Sequence, residues 1–246
     1  MKALWALLAA LVLTEIAYPL VHGGTRAALT VATVVAGYLL SVGHAWLSRG
    51  PRAAAVLVLV TTGGGFAVEA AGRSTGYPFG DYDYTGSLGP RLLGVPLTIP
   101  LAWTWMAWPA WVAAARLTRR RWARAGIAGL GLATWDLFLD PQMVAEGHWH
   151  WSSPGAALPG VPGIPLTNYL GWLVVASVLA AALTLWLPDA PGTDDRPMYA
   201  LYLWTYASSV LAHAAFLGMP ASAAWGALGM GLVAVPLAVT LWRARS

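Results

Sequence analysis

Residues 96–140 read PLTIPLAWTWMAWPAWVAAARLTRRRWARAGIAGLGLATWDLFLD. Two apolar runs, 96–116 and 122–140, flank a basic knot, RLTRRRWAR. A run of about 20 apolar residues is what a helix needs to cross hydrocarbon. Arginines clustered between two such runs hold that connection on the cytoplasmic side. The stretch therefore predicts two transmembrane helices joined by a short loop. The fold it implies is all-α, a polytopic transmembrane helix bundle.

The rest of the chain repeats the pattern. Further apolar segments at 3–21, 27–47, 53–71, 168–187, 198–217 and 222–242 bring the expectation to about eight spans, in one integral membrane domain over residues 1–246. Of the residues 58% are hydrophobic and 10% charged, against about 25% charged in soluble domains. The strands of a membrane barrel would alternate in segments of roughly ten residues, and no such alternation occurs. Cysteine is absent, which excludes disulfides, thiolate metal sites and cysteine nucleophiles. The opening MKALWALLAALVL resembles a signal peptide, but it continues through Glu15 and Tyr18 without a small-residue cleavage site. It is expected to remain as the first helix.

Of the 14 basic residues, only Arg26, Arg73 and Arg91 fall on the side opposite the termini. The positive-inside rule then places both termini in the cytoplasm, in a multi-pass protein of the plasma membrane. The net charge of +4 comes from these loops, and no nucleic-acid partner is expected. Two long connections, 72–95 and 141–167, share the outer face; a shorter acidic linker, PDAPGTDDRP, lies on the inner one. The long pair is rich in Gly, Pro and aromatic residues, and should pack back over the bundle as a rim or lid.

Four acids lie within or at the ends of the spans, Glu15, Glu69, Asp136 and Asp140, all in the outer half. A charge at mid-bilayer costs at least ~2.5 kcal/mol on insertion scales, so acids kept there usually face the bundle interior and have a function. His213 and Asn168 fall at similar depth, and His22 closes the outer end of the first helix. His44 lies toward the inner side, where a structural role is expected. Local pairing offers a plainer account of some of these groups. Glu69 and Arg73 have i,i+4 spacing, and Asp140 precedes Pro141 at an expected helix end.

Asp136 and Asp140 are four residues apart, on one helical face. Two carboxyls this close to hydrocarbon resist carrying two charges. One that holds a proton beside one that has lost it is general acid–base equipment. Several chemistries could use it. The DxxxD spacing suits Mg²⁺ and a prenyl diphosphate, as in a membrane prenyltransferase, with Asp81, Asp83, Arg73 and Arg91 as a thin second cluster. His148, His150, Asp140 and Glu146 are chemically suitable metal ligands, but their spacing matches no metal motif and no metal is expected. A carrier or transporter would favour broken helices or inverted repeats, and the sequence displays neither.

Acid chemistry on an uncharged lipid needs less: a protonated carboxyl, water, and aromatic faces. Each such face attracts a cation by roughly 0.5–2 kcal/mol. The chain has 15 Trp. Trp5, Trp46, Trp122 and Trp242 fit an interfacial belt. Trp105 and Trp108 lie deeper, where they can line an apolar tunnel, and Trp135 adjoins Asp136.

The block EAAGRSTGYPFGDYDYTGSLGPRLLGVPLTIPLAW, from Glu69 to Trp103, resembles a signature of the membrane carotenoid-biosynthesis family that includes carotenoid hydratases and bisanhydrobacterioruberin hydratase. WDLFLDPQMVAEGHWHW followed by GVPGIPLTNYLGW resembles that family's other signature. The resemblance implies carotenoid biosynthesis without a cofactor: addition of water across the terminal double bond of an acyclic C40 or C50 carotenoid end group, giving a tertiary alcohol. It also implies an isoprenoid lipid substrate, a membrane setting and other carotenoid-pathway enzymes as partners. On this reading Asp136 or Asp140 is the acid, and Glu69 or the other Asp positions water. Tyr77, Phe79, Tyr82, Tyr84 and Trp149 shape the mouth, while Trp105, Trp108, Trp135, Asn168 and His213 contact substrate. Interface anchoring is the competing role for the tyrosines, and Gly76, Pro78 and Gly80 are expected to set loop shape.

Overall fold

A computed structural model describes residues 1–153, 155–187 and 194–244. Most of the PDAPGTDDRP linker, and Arg245, lie outside the described residues. The chain is mostly helical. Helix α1 (Lys2–Ala17) ends in a 3₁₀ turn and is followed by α2 (Gly23–Arg49). Helices α3 (Pro51–Leu57) and α4 (Gly64–Thr75) form one rod through the π-helical segment Val58–Gly63. After strands β1 (Tyr82–Tyr84), β2 (Arg91–Leu92) and β3 (Val95–Pro96) come α5 (Thr98–Leu117), α6 (Arg121–Ala133) and α7 (Asp136–Ala145). Strands β4 (Trp149–Trp151), β5 (Ala157–Leu158) and β6 (Val161–Pro165) lead into α8 (Leu166–Trp186). Helix α9 (Arg196–Leu211) continues as π-helix to Phe216, and α10 (Pro220–Arg243) closes the described chain.

Five helical rods are long and apolar enough to cross a membrane: Lys2–Leu20, Gly23–Arg49, Pro51–Thr75, Leu166–Trp186 and Pro220–Arg243. The other three expected spans differ for physical reasons. Helix α5 is rich in Trp, and every residue from Ala102 to Ala114 is buried. A helix buried all round belongs at the centre of a bundle, and α5 packs on α2, α4, α6, α9 and α10. The expected span 122–140 breaks at Thr134 and Trp135, dividing α6 from α7. Helix α9 has only 16 residues before it changes pitch. The break and the π segments are interruptions the sequence did not display, which removes one ground set against a carrier.

Of the three prolines inside described helices, Pro109, Pro141 and Pro236, the first two leave no orphan acceptor. Proline has no N–H for the carbonyl four residues earlier. The carbonyl of Trp105, four before Pro109, accepts from Ser41 Oγ of α2 at 2.8 Å. That of Leu137, four before Pro141, accepts from Ser222 Oγ of α10 at 2.7 Å. Helix α7 therefore runs on through Pro141, so Asp140 is not a helix-end residue.

Helices approach closely where side chains are small, as in other membrane bundles. A Cβ at Gly37 would lie 2.4–2.5 Å from ring atoms of Trp105. Trp105 is buried. Gly37→Ala is expected to destabilise the α2–α5 packing by about 1–3 kcal/mol, the usual cost of overpacking, read as a lowered Tm in detergent.

The two long connections fold over one end of the bundle. Strands β1 and β4 pair antiparallel, Tyr82 opposite Trp151 and Tyr84 opposite Trp149. Alternate residues of a strand face opposite ways: these four aromatics are buried, whereas Asp83 and His150 are exposed. Phe79 plugs into the bundle between glycines; a Cβ at Gly72 or Gly171 would come within 3.0 Å of its ring. At the opposite end Arg49 grips Asp195 with two hydrogen bonds of 2.8 Å and lies over Trp108. An indole N–H can only donate, so Trp108 Nε1 gives its hydrogen to His44 Nδ1 at 3.0 Å. His44 Nε2 then donates to the carbonyl of Asp194 at 2.9 Å. His44 and Trp108 thus tie the middle of α5 to the end of α2 and the start of α9, away from the paired loops.

Candidate active site

The break at Thr134 and Trp135 starts a fresh helix with Asp136 in its first turn, where the helix dipole favours a carboxyl. One turn on, Asp140 points the same way. Both are sealed from lipid and water, at 0% and 3% exposure, so their partners must come from the protein. Asn168, in the first turn of α8, supplies them. Its Nδ2 donates to Asp136 Oδ2 at 3.0 Å and also to Asp140 Oδ2. Trp149 Nε1, brought in by β4, donates to Asp140 Oδ1 at 3.1 Å. The other oxygen of Asp136, Oδ1, is buried with no hydrogen-bond partner within the protein.

Glu69 of α4 faces the same space and is held differently. Tyr82 and Tyr84 hydroxyls donate to its Oε2 at 2.5 and 2.8 Å, and Trp103 Nε1 donates to Oε1 at 3.0 Å. Both oxygens are engaged by donors, so Glu69 serves as an acceptor. The expected Glu69–Arg73 pair does not form; Arg73 Nε turns outward to Asp83 at 3.3 Å.

These groups enclose a cavity of about 630 Å³, counted out to its mouth, lined by Glu69, Asp140, Asn168 and a ring of aromatic side chains. Small-molecule sites have this character, largely apolar and aromatic walls with a few convergent polar groups. Phe79, Tyr82, Tyr84 and Trp149 all line it. So do Trp103 and Trp172, stacked with centroids 3.9 Å apart and planes 11° from parallel. Asp136 stands just behind, reached through Asn168.

Not every candidate residue gathers here. Tyr77 is on the surface, 80% exposed. Trp108 belongs to the cluster at the far end. Trp105 and Trp135 line a second cavity beside the first. His213 is bonded to Ser222 and Gln142 on the other side of α7. Trp103, Trp151 and Trp172 line the acid cavity but were missed. Trp172 had a signal, since it lies one turn after Asn168 on the same face; Trp103 and Trp151 depend on how loops and helices close in space.

The residues weighed for other chemistries are directed elsewhere. Glu146 pairs with Arg26, and His148 Nδ1 with Ser87 Oγ at 2.6 Å. His150 is exposed, and no cluster of three or more His, Asp or Glu suited to a metal occurs among the described residues. Asp83 and its partner Arg73 lie on the outer face of the loops, and Arg91 donates to the Tyr84 carbonyl. They do not join Asp136 and Asp140 around one ligand.

Fold and site together define a helical membrane protein with an aromatic cavity built around buried carboxyls. The chain belongs to the carotenoid biosynthesis protein family, whose model matches residues 23–215. It is also 32% identical over 167 residues to bisanhydrobacterioruberin hydratase of Haloarcula japonica, an alignment covering 62% of this chain and 55% of that protein. The chain thus matches little more than half the length of that relative. No solved structure matches.

Proposed function

We propose that the protein is a carotenoid hydratase, adding water without a cofactor to the terminal double bond of an acyclic end group. The observation that carries this reading is the Asp136–Asp140 pair, sealed beneath aromatics and bridged by Asn168. Asp140, which lines the cavity, gives its proton to the alkene carbon that bears hydrogen. The π electrons form the new C–H bond, and the positive charge remains on the tertiary carbon. Trp103 and Trp172 offer their faces to that cation, and Glu69 offsets its charge. The oxygen of a water then bonds to the cationic carbon. The proton it releases returns to the Asp pair, which restores the acid and leaves a tertiary alcohol.

On this account the eight helical rods all cross the plasma membrane, α6 with α7 counting as one, and both termini are cytoplasmic. The paired loops then cover the outer end of the cavity. Other carotenoid-pathway enzymes are the natural partners. A Mg-dependent prenyl transfer is less well supported, because the second acidic and basic set sits outside the cavity. A carrier is less well supported because passive binding has no use for a buried carboxyl pair.

Co-expression in cells that accumulate lycopene or its C50 relative tests the reading. The expected product is heavier by one water, and its formation in membranes is unaffected by EDTA. A prenylated product requiring Mg²⁺, or pigment of unchanged mass with well-inserted protein, would overturn it.

A further inference from the structure

Across α7 from the acids lies the second cavity, about 730 Å³ out to its mouth. Its wall is more polar than burial among helices requires. Thr33 Oγ1, Trp105 Nε1 and Thr205 Oγ1 are buried there without a hydrogen-bond partner within the protein. These side chains are only 8%, 5% and 4% exposed, and a buried polar group left unpaired costs about 1–3 kcal/mol. Glu15 and Gln142 join the same lining. Glu15 Oε2 accepts from Trp204 Nε1 at 2.5 Å. Gln142 is held from behind by His213 Nε2 at 3.2 Å, and His213 in turn by Ser222 at 2.9 Å. The set comprises hydroxyls, an indole donor and a carboxyl acceptor around one space. Groups that both donate and accept from several directions suit water, which needs two to four polar partners in a roomy site.

The two cavities adjoin. Thr30, Val34, Leu139 and Met143 line both. Leu139 and Met143 lie on α7, between the Asp140 face and the Gln142 face. These two flexible side chains, with Thr30 and Val34 of α2, form the partition.

We propose that the second cavity is a water chamber, and that the water added in the acid cavity is drawn from it past Leu139 and Met143. The supply step rests on the hydratase reading; the presence of water does not. The arrangement explains how an apolar pocket able to hold a polyene end also receives a polar reactant. One water oxygen bonds to carbon, one proton passes to the Asp pair, and the chamber refills.

Hydroxyl-radical footprinting by X-ray radiolysis in heavy-oxygen water tests this on the full-length protein in lipid nanodiscs. Water held beside a buried ring labels it in place. Trp105, Trp135 and Phe138, which line only the chamber, are expected to take up heavy oxygen several-fold faster than the equally buried Trp108 and Trp111. In the Thr33→Val, Thr205→Val double variant that excess should disappear. Hydration kcat should fall about tenfold, the equivalent of one lost hydrogen bond, at unchanged KM. Thr33→Ser with Thr205→Ser restores the hydroxyls and should restore both readings, which separates lost water from lost packing. Labelling no faster than at Trp108 and Trp111 would overturn the chamber. Labelling lost at unchanged kcat would overturn the supply. Labelling present with no hydration by the wild-type protein would instead overturn the hydratase reading and leave the chamber standing.

Discussion

Asp140→Asn is expected to lower conversion by about 10²–10⁴-fold, the range for removing a general acid, while the protein still inserts and folds. Asparagine is nearly isosteric, and its carbonyl can keep the 3.1 Å contact with Trp149 Nε1. It removes the transferable proton, and with it the oxygen that accepts from Asn168 Nδ2, so stability should fall by about 1–3 kcal/mol. On the proposed mechanism Asp136→Asn should also cost heavily, because Asp136 shares Asn168 with Asp140 and would store the proton between turnovers. Groups that act as a unit are non-additive, so the double variant should fall little below the worse single one. Product formed per folded protein, with pigment mass as readout, checks all three. Near-normal conversion by both single variants would remove the acid assignment.

Glu69→Gln should have the second-largest effect. The carboxylate accepts from Tyr82, Tyr84 and Trp103. A glutamine presents an amide N–H₂ to at least one of these donors, so a buried donor loses its acceptor. That costs about 1–3 kcal/mol of stability. It also deletes the charge set against the cation, a loss of about 10²-fold in rate by comparison with other preorganised electrostatic groups. Arg73→Gln is the control. Arg73 pairs with Asp83 across a partly exposed contact, and surface pairs of this kind contribute little, so neither stability nor conversion should move appreciably. A Glu69→Gln variant as stable and active as wild type would show that the three donors do not need the charge.

Much of this was legible from residues alone. Apolar runs about 20 residues long announced the helices, because hydrocarbon thickness dictates that length. The cost of burying charge singled out Glu69, Asp136 and Asp140. Gly, Pro and aromatic residues in 72–95 and 141–167 foretold loops packed on the bundle. The details that escaped depend on contacts between segments distant in sequence. Proline at 141 looked like the end of a helix, because nothing local says that Ser222 will satisfy the Leu137 carbonyl. Glu69 and Arg73 looked like a pair by spacing, yet the hairpin of β1 and β4 delivers two tyrosines to Glu69 and Asp83 to Arg73. Trp103 gave no sign of stacking on Trp172, which lies on another helix. Trp105 and Trp108 share a helix and nearly a sequence context, but helical rotation sends one to the second cavity and the other against His44 and Arg49.

The most direct test of the central claim is conversion of an acyclic carotenoid by the purified protein in heavy-oxygen water, with the product weighed by mass spectrometry. Addition of water initiated by the Asp pair predicts one heavy oxygen in each new tertiary alcohol, and no labelled product from Asp140→Asn. An alcohol carrying ordinary oxygen, or labelled product formed at the wild-type rate by Asp140→Asn, would contradict it.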